Sequence, residues 1–435
     1  MNLNSLALAR IERGEGPIRV GLIGAGKFGS MFLNQVPTSP GLTVSAIADL
    51  SPDRARDACR TVGWSDDRIK ATAFVEDGRE LAKRDDVDVV LEVTGSPAAG
   101  IRHARAAFAN GKHIVMVNVE ADVLAGPLLA REAASAGVVY SKAYGDQPAL
   151  VCEIVDWARA AGFEVVAAGK GTKYQPHFHA STPDTVWDHY GLSAAQAKAA
   201  GMNPQMFNSF LDGTKSGIEM TAIANATGLK PPPDGLAFPD VPTDELQDKL
   251  IPQADGGLLA DKGQVEVVSS VYRDGREMPN NLRWGVYAVF EAPNDYARAC
   301  FKQYGLKTDP SGKYSAMYRP YHLIGLELGI SALSAVLRRE PTGHTRNFVS
   351  DVVSVAKRDL KQGEILDGEG GYTVWGKAQP ATKSLQFGAL PIGLAHGVKL
   401  KRSIREGEVV RWQDVTADEA ADAVKTRRAM EKAFS

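Results

Sequence analysis

The feature that most constrains this chain lies near its start, where the largely apolar run Ile18-Arg-Val-Gly-Leu-Ile23 leads into Gly24-Ala-Gly26-Lys27-Phe28-Gly29 and an amphipathic stretch. An apolar run with β-branched residues is the pattern of a strand buried on both faces. The glycines form GxGxxG between that strand and the helix that follows. Gly24 permits the tight turn, Gly26 lets backbone approach a pyrophosphate, and Gly29 lets helix and strand pack closely. A helix opening at Lys27 and Phe28 offers unpaired N–H groups and a partial positive charge to phosphates. The expectation is an open, parallel, doubly wound sheet that takes a dinucleotide.

The next strand, LTVSAIAD, ends in Asp49, placed to hydrogen-bond the ribose hydroxyls and to favour NAD over NADP. Arg54 and Arg56 follow closely and leave NADP open. Strand–helix alternation continues, with strands at 86–95, 112–118 and 137–143 and helices at 98–110 and 124–136, as a parallel α/β sheet requires. Thr94-Gly95 and Asn118-Val119-Glu120 fall just past strand ends, where open α/β sheets bind dinucleotides. Each is a candidate cofactor contact, and each also suits an ordinary strand-to-helix turn.

Composition excludes other classes. In 435 residues, 50 Lys+Arg face 52 Asp+Glu, for a net charge of −2. So balanced a chain has no long-range field to gather nucleic acid. No apolar window is long enough for a spanning helix. Cys59, Cys152 and Cys300 lie far apart, offering neither a disulfide framework nor a CxxC site. The N-terminal segment reads as a short amphipathic helix rather than a signal peptide, since Arg10, Glu12 and Arg13 interrupt any apolar core. The expected location is the cytoplasm.

Beyond Tyr144-Gly145-Asp146-Gln147-Pro148 comes a helix, then the strand FEVVAAG, closed by Gly169-Lys170-Gly171-Thr172-Lys173-Tyr174. Two lysines among glycines at a strand end suit a carbonyl, phosphate or carboxylate, or are solvated turn lysines. The order GxGxxG, xVNxEAD, GDQPALVCEIVDW, GKGTKY resembles the homoserine dehydrogenase superfamily. The strings NVEADV, AAGKG, FLDGTKSGIEMTAIANATGL and YRPYHLIGLE narrow the resemblance to a subgroup with a C-terminal SAF domain. One branch of that subgroup acts as a type II deoxyxylulose phosphate reductoisomerase. Homoserine dehydrogenases carry a Lys directly after the Asn of their first element. Here Val119 and Glu120 follow Asn118, so homoserine is not the expected substrate.

The resemblance implies an NAD(P)-dependent oxidoreductase acting on an alcohol or carbonyl of a small polar substrate. Lys215 is the implied proton carrier, with Asp212 orienting it and Glu219, on the same helical face, tuning it. An exposed i,i+4 salt bridge is the alternative for that pair. Asp146, Lys170, Lys173, Arg319 and His322 are the expected substrate contacts. A divalent cation is expected only for the reductoisomerase branch. The resemblance also suggests a homodimer or homotetramer and no nucleic acid or membrane partner. His177-Phe178-His179, read as a strand, puts two histidines on one side, but without a third ligand it defines no metal site.

The C-terminal region repeats itself. VAKRDLKQGEILD (355–367) and KLKRSIREGEVVR (399–411) align Lys357-Arg358 with Lys401-Arg402 and Gly363-Glu364 with Gly407-Glu408. The duplication predicts two strand–turn–strand units and resembles the SAF fold, a small β-clip. The basic residues at these turns are expected to be solvated, and Gly-rich 368–377 is expected to be a closing loop. The expected organisation is a Rossmann dinucleotide-binding domain (1–145), an α+β catalytic and oligomerisation domain (146–349) and a SAF-like domain (350–435). The apolar stretch 323–339 is expected to be a helix packing back on the first domain. A non-enzymatic dinucleotide sensor or assembly protein is the competing reading.

Overall fold

The computed structural model describes residues 2–199 and 201–434. They form two compact units: residues up to Glu153 with His322–Arg346, and Ile154–Tyr321 with the residues from Asn347 on.

The first unit is built on six parallel strands in the order β3-β2-β1-β4-β5-β6. These are β1 (Ile18–Ile23), β2 (Leu42–Ala48), β3 (Ala73–Val75), β4 (Val89–Glu92), β5 (His113–Met116) and β6 (Tyr140–Lys142). The order reverses between β1 and β4, the doubly wound arrangement that opens a crevice at the carboxyl edge. Ile18, Val20, Leu22, Val89, Leu91 and Val115 form the core with Leu33, Leu328 and Ala332, all buried. The expected 323–339 helix starts only at Gly329 and runs to Leu337. Before it, Gly325 turns at φ +81°, and a Cβ there would stand 2.6 Å from the Met31 Cβ. The chain therefore turns tightly over the Lys27–Gln35 helix before it can become helical. The expected 124–136 helix begins earlier, at Val119, because the Asn118 side chain caps it by accepting from the Ala121 N–H at 3.0 Å.

The second unit holds a mixed sheet in the order β10-β9-β7-β8. Its strands are β7 (Glu164–Thr172), β8 (Gln264–Ser269), β9 (Val286–Glu291) and β10 (Tyr314–Arg319). The Thr214–Thr227 helix lies against β7 and β8. The C-terminal strands are β11 (Ser350–Ala356), β12 (Ile365–Asp367), β13 (Val374–Pro380), β14 (His396–Leu400) and β15 (Val415–Thr416). β11 pairs with β13, and β12, β14 and β15 form a second small sheet.

The sequence duplication is a pseudo-two-fold in space. Leu360 and Ile404 exchange backbone hydrogen bonds of 2.8 and 3.0 Å. Gly363 donates to the Leu400 carbonyl at 2.9 Å, and its counterpart Gly407 donates to the Ala356 carbonyl at 2.9 Å. Both glycines turn at positive φ, +85° and +77°. Only part of the 368–377 segment is loop, because β13 takes up Val374 onward.

Glu266, on β8, is a buried carboxylate with no ion-pair partner among the described residues. It accepts from the backbone N–H groups of Ala237, Phe238 and Val267 at 2.8–3.3 Å. This pins a loop in which Phe238 adopts φ +51°. Burial pushes the Glu266 carboxyl up to about 7, against the lowering effect of those N–H groups. The folded state therefore holds a proton that the unfolded chain has lost, and stability falls as pH rises from about 4.5 to about 7. Urea denaturation of Glu266→Gln is expected to show that decline flattened. An unchanged slope would mean that Glu266 is ionised when folded.

Candidate functional site

The glycine turn has the geometry a dinucleotide requires. Gly24 adopts φ +100°, and a Cβ on Gly29 would stand 2.3 Å from the Gly24 carbonyl, so the helix can approach the strand only without one. A Cβ on Gly26 would meet nothing within 4 Å, and Gly26 and Lys27 are exposed. Open backbone at a helix N-terminus suits a pyrophosphate. Phe28 is half-buried.

Asp49 sits differently from the expectation. It is buried, and its carboxylate accepts from the Ala25 and Ser51 N–H groups at 3.0 Å each. The exposed Arg54 guanidinium lies 2.6 Å from its other side. Neutralised in this way, Asp49 repels a 2′-phosphate less than a bare carboxylate would. Thr94 and Gly95 are exposed at the end of β4. Asn118, by contrast, is buried, with its amide donating to the Ser96 carbonyl at 2.8 Å while its oxygen caps the helix. It shapes the turns rather than presenting an open side chain, a correction to its reading as a direct contact. Val119 is buried beside it and Glu120 is half-buried.

Next to Asn118 the carboxyl edge holds a small cleft, lined among others by Val119, Asp122, Lys142 and Asp146. Lys142 ion-pairs with Asp122 and donates to Thr345 at 2.9 Å. Asp122 also accepts from Tyr140 at 3.0 Å and from Thr345 at 2.9 Å. Burial and the adjacent Asp122 charge push the Tyr140 phenol up. Sequence reasoning found Asp146 and missed Lys142 and Asp122. The available signal was Lys142's place at the end of a strand in the parallel sheet. His322 is half-buried in this unit.

In the second unit, Asp212 is fully buried. Its carboxylate accepts from the Thr214 N–H at 2.8 Å and lies 2.8 Å from the Lys357 ammonium. Asp212 thus braces the start of the Thr214–Thr227 helix through the Thr214 N–H, and the cation beside its carboxylate is Lys357. Burial raises its carboxyl and Lys357 opposes that rise. Glu219 is likewise buried and pairs with Lys170. The glycines flanking Lys170 are enforced by packing: a Cβ on Gly169 or Gly171 would stand 1.8 or 1.9 Å from a neighbouring carbonyl. Lys215 and Arg319 are half-buried. Lys173 donates to the His189 carbonyl at 2.6 Å, and burial lowers its pKa.

His177 and His179 sit in a 3-10 turn, Pro176–Ala180, which removes the strand alternation expected for them. His179 stacks on Trp375 at 3.8 Å. Its Nδ1 meets the Asp212 carbonyl at 2.6 Å, which can only accept, so Nδ1 carries the proton and Nε2 accepts from Tyr174 at 3.0 Å. Among the described residues no group of three or more His, Cys, Asp or Glu could hold a metal ion, and no helix is long and apolar enough to cross a membrane.

This geometry belongs to a recognisable class: residues 18–117 match the family model "Oxidoreductase family, NAD-binding Rossmann fold". Residues 145–328 match "Oxidoreductase DRL, catalytic domain", and residues 351–416 match the SAF domain. The chain thus combines an oxidoreductase-family Rossmann domain, a DRL catalytic domain and a SAF domain. It is 33% identical to a homoserine dehydrogenase of Neisseria gonorrhoeae over 111 residues, 23% of this chain and 23% of that protein. It is 33% identical to a glycosyl hydrolase family 109 protein of Saccharopolyspora erythraea over 103 residues, 22% of this chain and 21% of that one. The chain therefore spans less than a quarter of the length of these curated relatives. A probable dehydrogenase from Thermotoga maritima is similar at 17% identity and a TM-score of 0.40, over 74% of this chain and 90% of that one.

The ribose corner yields a direct test. Arg54→Ala is expected to weaken NADP binding roughly tenfold by removing a charge-assisted contact to the 2′-phosphate. NAD binding should stay within about twofold in the same nucleotide-fluorescence titration, because NAD carries no charge there. Equal weakening of both nucleotides would assign Arg54 to Asp49 alone.

Proposed function

We propose that the chain is an NAD(P)-dependent oxidoreductase acting on the alcohol or carbonyl of a small, hydroxylated substrate bearing a phosphate or carboxylate. The observation that carries this reading is the open Gly24–Gly29 turn at the carboxyl edge of the nucleotide sheet, the edge at which Lys142 and Asp146 also lie. A bound nicotinamide supplies the hydride acceptor or donor. The chain's own residues divide the remaining work. Lys215 takes or returns the hydroxyl proton at its Nζ, the role implied by the resemblance of its motif. Asp146 accepts from substrate hydroxyls. Lys142, which donates to Asp122 and Thr345, is the cation assigned to a substrate oxygen. Lys170, Lys173 and Arg319 of the second unit and His322 of the first are the candidate contacts for an anionic group. The enzyme works in the cytoplasm as a homo-oligomer, without nucleic acid or membrane partners.

A second reading, type II deoxyxylulose phosphate reductoisomerase, draws support from Arg54. An arginine covering Asp49 suits the NADPH that branch would use.

The test is cofactor turnover over a panel of sugar alcohols, hydroxy acids and their phosphates with both nucleotides. Lys215→Ala is expected to lower kcat by about a hundredfold or more, as loss of a general acid–base group does. Lys142→Met is expected to raise KM about tenfold, as loss of a substrate-binding contact does. Full activity of Lys215→Ala would overturn the proton assignment. Tight nucleotide binding with no turnover across the panel would favour the sensor reading.

A further inference from the structure

The SAF duplication is symmetric in its backbone and broken at one side chain. Leu360 and Ile404, Gly363 and Gly407, and the ion pairs Arg358–Glu364 and Arg402–Glu408 repeat one another across the pseudo-two-fold. Lys357 and Lys401 are the next equivalent pair. Lys401 is exposed, whereas Lys357 is buried. It donates to the Ser181 and Gly371 carbonyls at 2.7 Å each and lies 2.8 Å from the Asp212 carboxylate. Its neighbourhood reaches the same helix start by further routes. The Gly376 N–H donates to the Thr214 hydroxyl at 2.8 Å, and Trp375 stacks on His179, which itself holds the Asp212 carbonyl.

We propose that Lys357 is a positioning residue for the reaction: it holds the Asp212 carboxyl group on the Thr214 N–H at the start of the Thr214–Thr227 helix and thereby sets Lys215, one residue into that helix. The SAF domain is then part of the catalytic centre's support rather than an appended binding module. The inference rests on the reading of Lys215 as proton carrier. A solvated turn lysine would look like Lys401; only the copy facing Asp212 has been drawn into the interior. A buried carboxylate deprived of its cation takes up a proton. A protonated carboxyl accepts the Thr214 N–H less strongly than a carboxylate does. The other titratable groups facing Asp212 cannot replace Lys357. Burial lowers His179, so it is neutral near pH 7, and Tyr190 is pushed up to about 12 mainly by burial. Lys377 acts on His179 and is itself lowered by burial.

The experiment compares Lys357→Met, Asp212→Asn, Lys401→Met and Lys215→Ala in full-length protein by nucleotide titration and by kcat against pH. Lys357→Met is expected to lower kcat roughly tenfold or more near neutral pH while nucleotide affinity stays within about twofold. Its loss should shrink as pH rises, because Asp212 regains its charge, so the acid limb of kcat moves up by about one unit or more. Asp212→Asn should lose activity to the same extent at every pH, and Lys401→Met should match wild type. A wild-type pH profile in Lys357→Met overturns the proposal, as does a loss independent of pH. If Lys357→Met does not fold, the double variant Lys357→Met/Asp212→Asn, which carries no unpaired buried charge, replaces it. Lowered kcat with normal nucleotide binding then supports the proposal, and wild-type kcat overturns it. Full activity in Lys215→Ala would sink the proton-carrier reading. An inactive Lys215→Ala beside an unaffected Lys357→Met would sink the positioning role alone.

Discussion

A carboxylate removed from water must be neutralised where it sits, and in this chain that requirement recurs wherever chemistry is expected. Asp212 has no exposed surface and stands at the start of the helix that bears Lys215. Its charge is met by Lys357, from a region far along the chain. Withdrawing either partner would leave a bare charge inside the protein, at a cost of about 3–5 kcal/mol. Two stretches remote in sequence are therefore obliged to fold against each other at this point. The placement of Lys215 follows from that obligation as well as from helix propensity.

Similar buried pairs recur in both units. Lys142 and Asp122 join β6 to the helix that follows β5, with Thr345 bridging both partners. Lys170 joins β7 to Glu219. Arg427 anchors the C-terminal helix on Asp351 and also pairs with Glu431 within that helix. The net charge of −2 fits this arrangement, because cations and anions here act in matched local pairs instead of building a field. Anion recognition in such a protein must come from individual donors: open backbone at Gly26, the Arg54 guanidinium, or the Lys142 ammonium.

What could be read from sequence alone is what is local. The glycine turn constrains a few adjacent residues through backbone geometry, and Gly24 and Gly29 show the tight turn and the close approach their spacing implied. The SAF duplication was legible for the same reason, since each Gly-Glu turn closes its own unit. Helix boundaries were less accessible, because a side-chain cap at Asn118 and a tight turn at Gly325 moved them. The partners of the site residues were not accessible at all. Lys215 and Glu219 are four apart, and that spacing invited a local pairing. β7 brings Lys170 to Glu219, and a segment from beyond residue 350 brings Lys357 to Asp212.

The repeat shows where local pattern stops being informative. Two nearly identical stretches must form nearly identical turns, and they do. The pattern cannot tell which copy will face solvent and which will face another element. Read from the repeat, Lys357 and Lys401 were equivalent solvated lysines. Packing made them different, because only one copy meets a buried carboxylate, and a lysine placed there is held by three acceptors instead of water. Equivalent backbone with inequivalent surroundings is how a duplicated module can acquire a second role without losing its fold: one turn keeps the original solvated chemistry while the other is committed to the neighbour it covers. The residue that breaks the symmetry is therefore the place to look for what the SAF domain adds to this protein. By the same reasoning, the functional weight of a repeat is set by its contacts outside the repeat, which sequence comparison between its own copies cannot reveal.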